Sequence, residues 1–385
     1  MLPSPMLAPP AVPPAPEPDV LNLASWRLTP VKLPYQRVVR WSDTVEDGGT
    51  YLLLELLSSC GHNGLAEGTV KLMWTGTTLA SQIACLTDIL LPRLTQVNLR
   101  DPAAINAALA MVPENRAAKA LIDQACWDLR ADAAGLPLWG LMGGTQEVAV
   151  SWTLTRGTPL DMAHEAAAMV DRYGFRTLKL KGGQGEETDL RAVQELRGAV
   201  GDLEIYVDAN WHYDYVRAIA YANRLAEYGV RFVEDPYMPA PDSRFRAAQA
   251  GVIATLLVDY PCVETRDVEA FLAVGARMFS VKPGRIGPSA AFELAQRAAS
   301  GGAGVVVGLF AESALGSIAA LSVSGALETH TGQAAALPAE VTFFLTLKDQ
   351  LLQVPLDIHD GCAFLPSKSN HHLIDPAKLA RYTCC

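Results

Sequence analysis

The sequence predicts an α/β protein: a (β/α)-barrel of modified TIM type carrying an N-terminal α+β capping domain. Two observations lead there. After Gly144, short β-rich runs alternate with helix-length stretches, as in a parallel sheet buried on both faces. Charged residues also close successive runs at a spacing of roughly 25 residues, the length of one β-α unit. An open doubly wound sheet is the alternative, but no glycine-rich phosphate turn follows the first run.

The chain of 385 residues is 50% hydrophobic and 19% charged, enough for a large core and more than one domain. Its net charge of −10, without a basic run, argues against nucleic acid or an anionic membrane as partner. The seven cysteines are scattered and lack C-x-x-C spacing, which fits reduced thiols in a cytoplasmic protein. Cys384-Cys385 reads as a flexible tail.

Residues 1–25 read as a Pro/Ala-rich disordered leader rather than a signal peptide. Residues 26–144 form the expected α+β capping domain. Leu28–Val39 and Thr50–Leu57 are strand-like, and Gly61-His-Asn-Gly64 is a turn. Between the two runs, Trp41–Gly49 is polar and ends in Gly-Gly, as expected of a loop that closes over a substrate. Ala118, Leu121, Ile122, Ala125, Cys126 and Leu129 follow helical spacing, and Gly135 stops the helix.

Residues 145–350 form the expected barrel. Its runs are Val148–Leu154, Arg176–Lys181, Leu203–Val207, Val230–Val233, Ile253–Val258, Met278–Val281 and Val305–Phe310, with a weak eighth near Glu328–Ala336. Ala303–Val323 has the length of a membrane span, but Glu312 interrupts it, so it reads as a buried strand followed by a helix. The segment 351–385 is irregular and is expected to pack back on the capping domain.

In a parallel barrel the C-terminal strand ends converge on one rim, where catalytic groups sit. Here those ends carry Lys179 and Lys181, Asp208, Glu234, Asp259, Lys282 and Glu312 in chain order. Alternation in Thr177–Lys181 places both lysines on one face. Taken alone, Lys-x-Lys reads as a solvated edge strand. On a shared rim, two neighbouring ammonium groups release protons more readily, and one becomes a candidate base. Asp208, Glu234 and Asp259 repel one another unless a cation joins them. An all-oxygen set selects Mg²⁺, or Mn²⁺, over zinc. Lysines on the second and sixth strands flank that point from opposite sides, which is equipment for taking a proton next to a carboxylate.

With these residues in view, the chain from about Leu28 onward resembles the enolase superfamily, and within it the muconate-lactonizing-enzyme (mandelate racemase/muconate cycloisomerase-like) subgroup. Ala120-Leu-Ile-Asp-Gln-Ala-Cys-Trp-Asp128 and Leu141-Met-Gly-Gly144 are similar to the closing helix and turn of that subgroup's capping domain. The resemblance implies Lys181 as one acid/base, Lys179 as its electrostatic neighbour and Lys282, in Lys-Pro-Gly-Arg-Ile-Gly287, as the opposing lysine. It implies Asp208, Glu234 and Asp259 as Mg²⁺ ligands and Glu312 as an acid after the seventh strand. It also implies a small-molecule carboxylate substrate, a metal-stabilised enolate and a homo-oligomer. Asn210 is a candidate for supporting a metal ligand or a substrate.

Racemisation or epimerisation, cycloisomerisation and β-elimination all stay open. So do a ligand-binding barrel without catalysis and a Schiff-base lyase using Lys181 or Lys282. Three departures concern the substrate: Tyr260 stands where the subgroup carries a glutamate, Gly287-Pro288 replaces Gly-Gly, and Ala334–Glu340 holds no Asp-x-Asp. Asp235 is expected to point away from the site. His212 reads as a loop residue, His330 has no identifiable partner, and His371-His372 lacks metal spacing and reads as surface.

Overall fold

The computed structural model describes residues 20–41 and 44–384. Most of the expected leader lies outside the described residues, and strand β1 already begins within its predicted range. β1 (Leu23–Arg40), β2 (Val45–Ser58) and β3 (Asn63–Thr69) form an antiparallel sheet in that order. The segment 41–49 is largely not a loop: Gly48 and Gly49 pair with Pro34 and Leu33 in the β1–β2 ladder. The Gly-Gly that suggested mobility instead permits close cross-strand approach. A Cβ on Gly48 would lie 2.7 Å from the Leu33 carbonyl oxygen.

The helix Arg116–Ala133 packs Leu121, Ile122, Ala125 and Leu129 against this sheet in a core separate from that of the barrel.

The barrel strands are β5 (Trp152–Leu154), β6 (Thr177–Lys181), β7 (Glu204–Asp208), β8 (Phe232–Glu234), β9 (Thr255–Val258), β10 (Met278–Val281) and β11 (Gly304–Val307). They pair in sequence order, all parallel. Helices such as Pro159–Tyr173, Glu186–Val200 and Pro288–Ser300 connect them, within two or three residues of the expected ranges.

The eighth position is where sequence and structure part. Glu328 still belongs to the helix Ala314–Thr331, which ends at Gly332 with φ of 73°. The barrel closes instead through Ala336–Glu340. Ala336 N and Glu340 N donate to Val305 O and Val307 O on one side, while Ala339 N donates to Ala149 O and Ser151 N to Ala339 O on the other. Pro338 lacks an N–H, so this segment cannot carry a full ladder and gives a weak strand signal.

The first expected run divides. Its beginning, β4 (Glu147–Ala149), pairs antiparallel with β13 (Cys362–Phe364), the second strand of a hairpin with β12 (Asp357–His359). The C-terminal segment therefore touches both domains, since Thr383 also bridges to Val31 of β1. Among the described residues no helix is long and apolar enough to cross a membrane, and Ala303–Val323 is indeed a buried strand followed by a helix.

Candidate active site

Alternation in β6 turns Leu178 and Leu180 outward into the main core and Lys179 and Lys181 inward. Parallel pairing then aligns the rim, because Lys181 is in register with Asp208 and Asp208 with Glu234. Beneath the charged layer, Tyr206, Leu257, Met278, Val306 and Leu337 fill the barrel interior.

Each of the three carboxylates takes a different ammonium group. Lys181 Nζ donates to Asp208 Oδ2 at 2.6 Å, and Lys179 Nζ to Glu234 Oε2 at 2.6 Å. Lys282 Nζ donates to Asp259 Oδ2, whose other oxygen lies 3.2 Å from Arg285 Nη2. Lys179, Asp208 and Glu234 are fully buried.

Burial works against the charge on Asp208, but Lys181 and Lys179 outweigh it and hold this carboxyl well below its ordinary range. Glu234 goes the other way: burial and the neighbouring Asp208 push it well up. Its Oε1 is buried without a hydrogen-bond partner. A buried, unpartnered carboxylate oxygen beside two more carboxylates fits a hard divalent cation, and Asp208, Glu234 and Asp259 are the residues that could hold one.

The surroundings of Lys179 differ from those expected of two neighbouring ammonium groups alone. Burial by itself would favour loss of its proton, but Glu234, Glu340 and Asp208 surround the ammonium and raise its pKa well above the ordinary lysine value. Lys179 is thus a buried counter-ion to Glu234, Glu340 and Asp208, beside Lys181 on the same strand face.

Glu340 went unnoticed in the sequence. It accepts from Lys179 Nζ at 2.9 and 3.0 Å, from the Tyr206 hydroxyl at 2.6 Å and from Leu309 N at 3.3 Å. The only signal was an acid two residues after Pro338, in a segment without strand alternation. Arg285, three residues after Lys282, was also passed over.

Other candidates fall into place around this centre. Asn210 acts through its backbone, with N donating to Asp208 Oδ1 at 2.9 Å. Asp235 is turned from the rim, as expected, and accepts from Asp259 N and Tyr260 N. Glu312 is buried behind the rim, accepts from Phe310 N at 2.6 Å, and burial pushes its pKa up to about 7.

A cavity of about 970 Å³ opens above the rim. Lys181, Lys282 and Asp259 reach it from the barrel, and Trp41, Trp74 and Arg116 from the capping domain. His212 lines it too. His330 does have partners: its Nε2 lies 3.0 Å from Met142 O and its ring stacks on Phe292.

Comparison with known proteins agrees with this architecture. Residues 27–143 match the family model for the N-terminal domain of mandelate racemase / muconate lactonizing enzyme, and residues 161–369 match the enolase C-terminal domain-like model. The chain belongs to this family.

A hydrophobic dipeptide epimerase of Enterococcus faecalis is 32% identical over 221 residues, spanning 56% of this chain and 61% of that protein. A chloromuconate cycloisomerase of Pseudomonas putida is 30% identical over 374 residues, 92% of this chain and 97% of the relative. Among solved structures, muconate lactonizing enzyme from Mucobacterium Smegmatis complexed with muconolactone superposes with a TM-score of 0.88. It is 26% identical and covers 95% of this chain and 100% of its own.

Within the family frame the three departures acquire locations. Tyr260 leaves the carboxylates and packs on Trp211 at the cavity wall, with ring centroids 4.4 Å apart. Pro288 begins the helix Pro288–Ser300, where a missing N–H removes no hydrogen bond. In the closing segment, Glu340 is turned into the barrel interior, away from the cavity.

Proposed function

We propose that this protein is a divalent-metal-dependent isomerase that removes and returns the α-proton of a small carboxylate, as a cycloisomerase or a racemase/epimerase. The observation that carries this reading is the placement of Lys181 and Lys282. Three strands separate β6 from β10 along the sheet, so the two ammonium groups reach one cavity from opposite sides of the barrel. A proton taken on one face can thus be returned on either. Mg²⁺, or Mn²⁺, held by Asp208, Glu234 and Asp259 would supply positive charge to the substrate carboxylate.

The cavity also speaks to the substrate. Trp41, Trp74, Trp211 and Phe310 offer an apolar wall, while Arg156, Glu114 and an Arg116 already paired with Glu114 and Glu264 make up its polar side. Glu340, the carboxylate of the closing segment, is committed to Lys179 and Tyr206. That composition favours an acid with an apolar body. A β-elimination would use the same lysines.

The test is solvent exchange. Candidate carboxylates are incubated with protein and Mg²⁺ in D₂O, and deuterium at the α-carbon is read by mass spectrometry. Exchange in the parent and none in the Lys181→Ala/Lys282→Ala double variant is the expected result. Exchange that survives the double variant overturns the assignment. Borohydride trapping of a carbonyl substrate would favour a Schiff base instead. A homo-oligomer is part of the proposal and is read by light scattering.

A further inference from the structure

A second constellation of ligand-type side chains lies far from the rim. Asp132, His371 and His372 each offer a ligand atom, all within 4.8 Å of one another. His62 joins from a third segment, with Nδ1 3.3 Å from Asp132 Oδ2, and His371 Nδ1 lies 3.8 Å from Asp132 Oδ1. Arg116, at the cavity, opens the helix that Asp132 nearly closes. At 1.5 Å rise per residue the two are about 24 Å apart, so this cluster is not part of the catalytic cavity.

We propose that Asp132, His371 and His372, with His62 beside them, form a transition-metal site for Zn²⁺ or a similar borderline cation that fastens the C-terminal segment to the capping domain. Imidazole nitrogens with one carboxylate suit zinc and cobalt, whereas the all-oxygen rim suits Mg²⁺. Tetrahedral zinc, with ligands at about 2.1 Å, needs ligand atoms about 3.4 Å apart. Within the set of three the ligand atoms lie within 4.8 Å of one another. His371 Nδ1, at 3.8 Å from Asp132 Oδ1, is near the tetrahedral spacing, and His62 approaches the other oxygen, Oδ2, at 3.3 Å. His372 is exposed and its ring centroid lies 3.8 Å from that of His371.

The supporting contacts are built. Asn63 N and Ser369 Oγ donate to the two Asp132 oxygens at 3.0 and 2.8 Å, which fixes the carboxylate. Asn370, next to His371, is buried and bonded to Asp128 and Leu65, which anchors the short helix that bears both histidines. A cation here would join the turn before β3, the end of the Arg116–Ala133 helix and the Asn370–Leu373 helix. Such a clip closes a long loop of chain and resists release of the C-terminal segment.

The experiment uses the full chain without a histidine tag, with Mg²⁺ in excess to load the rim. Co²⁺ is titrated and the visible absorption of a tetrahedral complex is followed, then Zn²⁺ is used to displace it. About one equivalent is expected to bind, with Zn²⁺ raising the melting temperature by several degrees. Both effects should vanish in His371→Ala and His372→Ala and persist in Asp259→Asn. His372 is exposed, so an unchanged melt of His372→Ala in EDTA verifies that the variant folds. Absence of the absorption band in the parent, or a band that survives His372→Ala or disappears in Asp259→Asn, overturns the proposal.

Discussion

Lys179 Nζ lies 2.9 and 3.0 Å from the two carboxylate oxygens of Glu340, across a sequence separation of 161 residues. The pair closes the barrel electrostatically where its hydrogen-bond ladder is weakest, at the Pro338 segment. Glu340→Gln keeps the shape but removes the charge, leaving Lys179 with less compensation in a fully buried site. A loss of about 3 kcal/mol is expected from urea unfolding. A variant as stable as the parent would show that Glu234 and Asp208 suffice for Lys179.

The opposed lysines make a stereochemical prediction. If each serves one face of the substrate, Lys282→Ala keeps α-proton exchange for one enantiomer, served by Lys181, and loses interconversion. Turnover should fall by about 10²–10⁴-fold, with a smaller change in KM. Enantiomer-resolved NMR in D₂O reads both quantities. Equal exchange of both enantiomers by the single variant contradicts the two-sided arrangement.

Gly308 faces this lysine. A Cβ there would meet Ser280 Oγ and lie 2.7 Å from Lys282 Cε. Both obstacles are side chains that can move, so Gly308→Ala should fold but displace the Lys282 ammonium from its productive position. A rate loss of about 10²-fold is expected from a misplacement on the order of 1 Å. The same melting temperature with lowered kcat would separate this from unfolding.

Metal binding has a readout apart from activity. Mg²⁺ should raise the melting temperature of the parent, because it binds the assembled rim and not the unfolded chain. Asp259→Asn removes one of the three carboxylates and should abolish most of that increase. A magnesium shift of full size in the variant would take Asp259 out of the ligand set.

The contact between the domains carries a pH signature. Glu67 of β3 is buried and accepts from Ser313 N at 2.8 Å and from the Ser313 hydroxyl. Burial, despite those bonds, pushes its pKa from 4.5 up to about 7. A folded value above the unfolded one means that the stabilising contribution is complete below about pH 4.5 and is lost as pH rises toward 7. The loss is about 3 kcal/mol for a shift of this size. Glu67→Gln should flatten that decline in denaturant midpoints measured across the window. A parallel decline in the variant would assign it to other groups.

The sequence by itself determined the chain order of the barrel units, the inward face of β6 and the seven charged residues at the strand ends. Those follow from local alternation and from the fixed length of a β-α unit, both visible along one dimension. Chain distance hid the rest. Glu340 becomes the partner of Lys179 only when the barrel closes, and a proline had erased the alternation that would have marked its strand. Alternation along β6 showed Lys179 only beside Lys181, and its direct ion pairs with Glu234 and Glu340 arose from strands brought together in space. The Gly-Gly at the end of 41–49 permits mobility or close packing, and only the β1–β2 ladder selected the second. Likewise, His371 and His372 met Asp132 through folding alone, since metal geometry is a relation in space that spacing along the chain records only within one element.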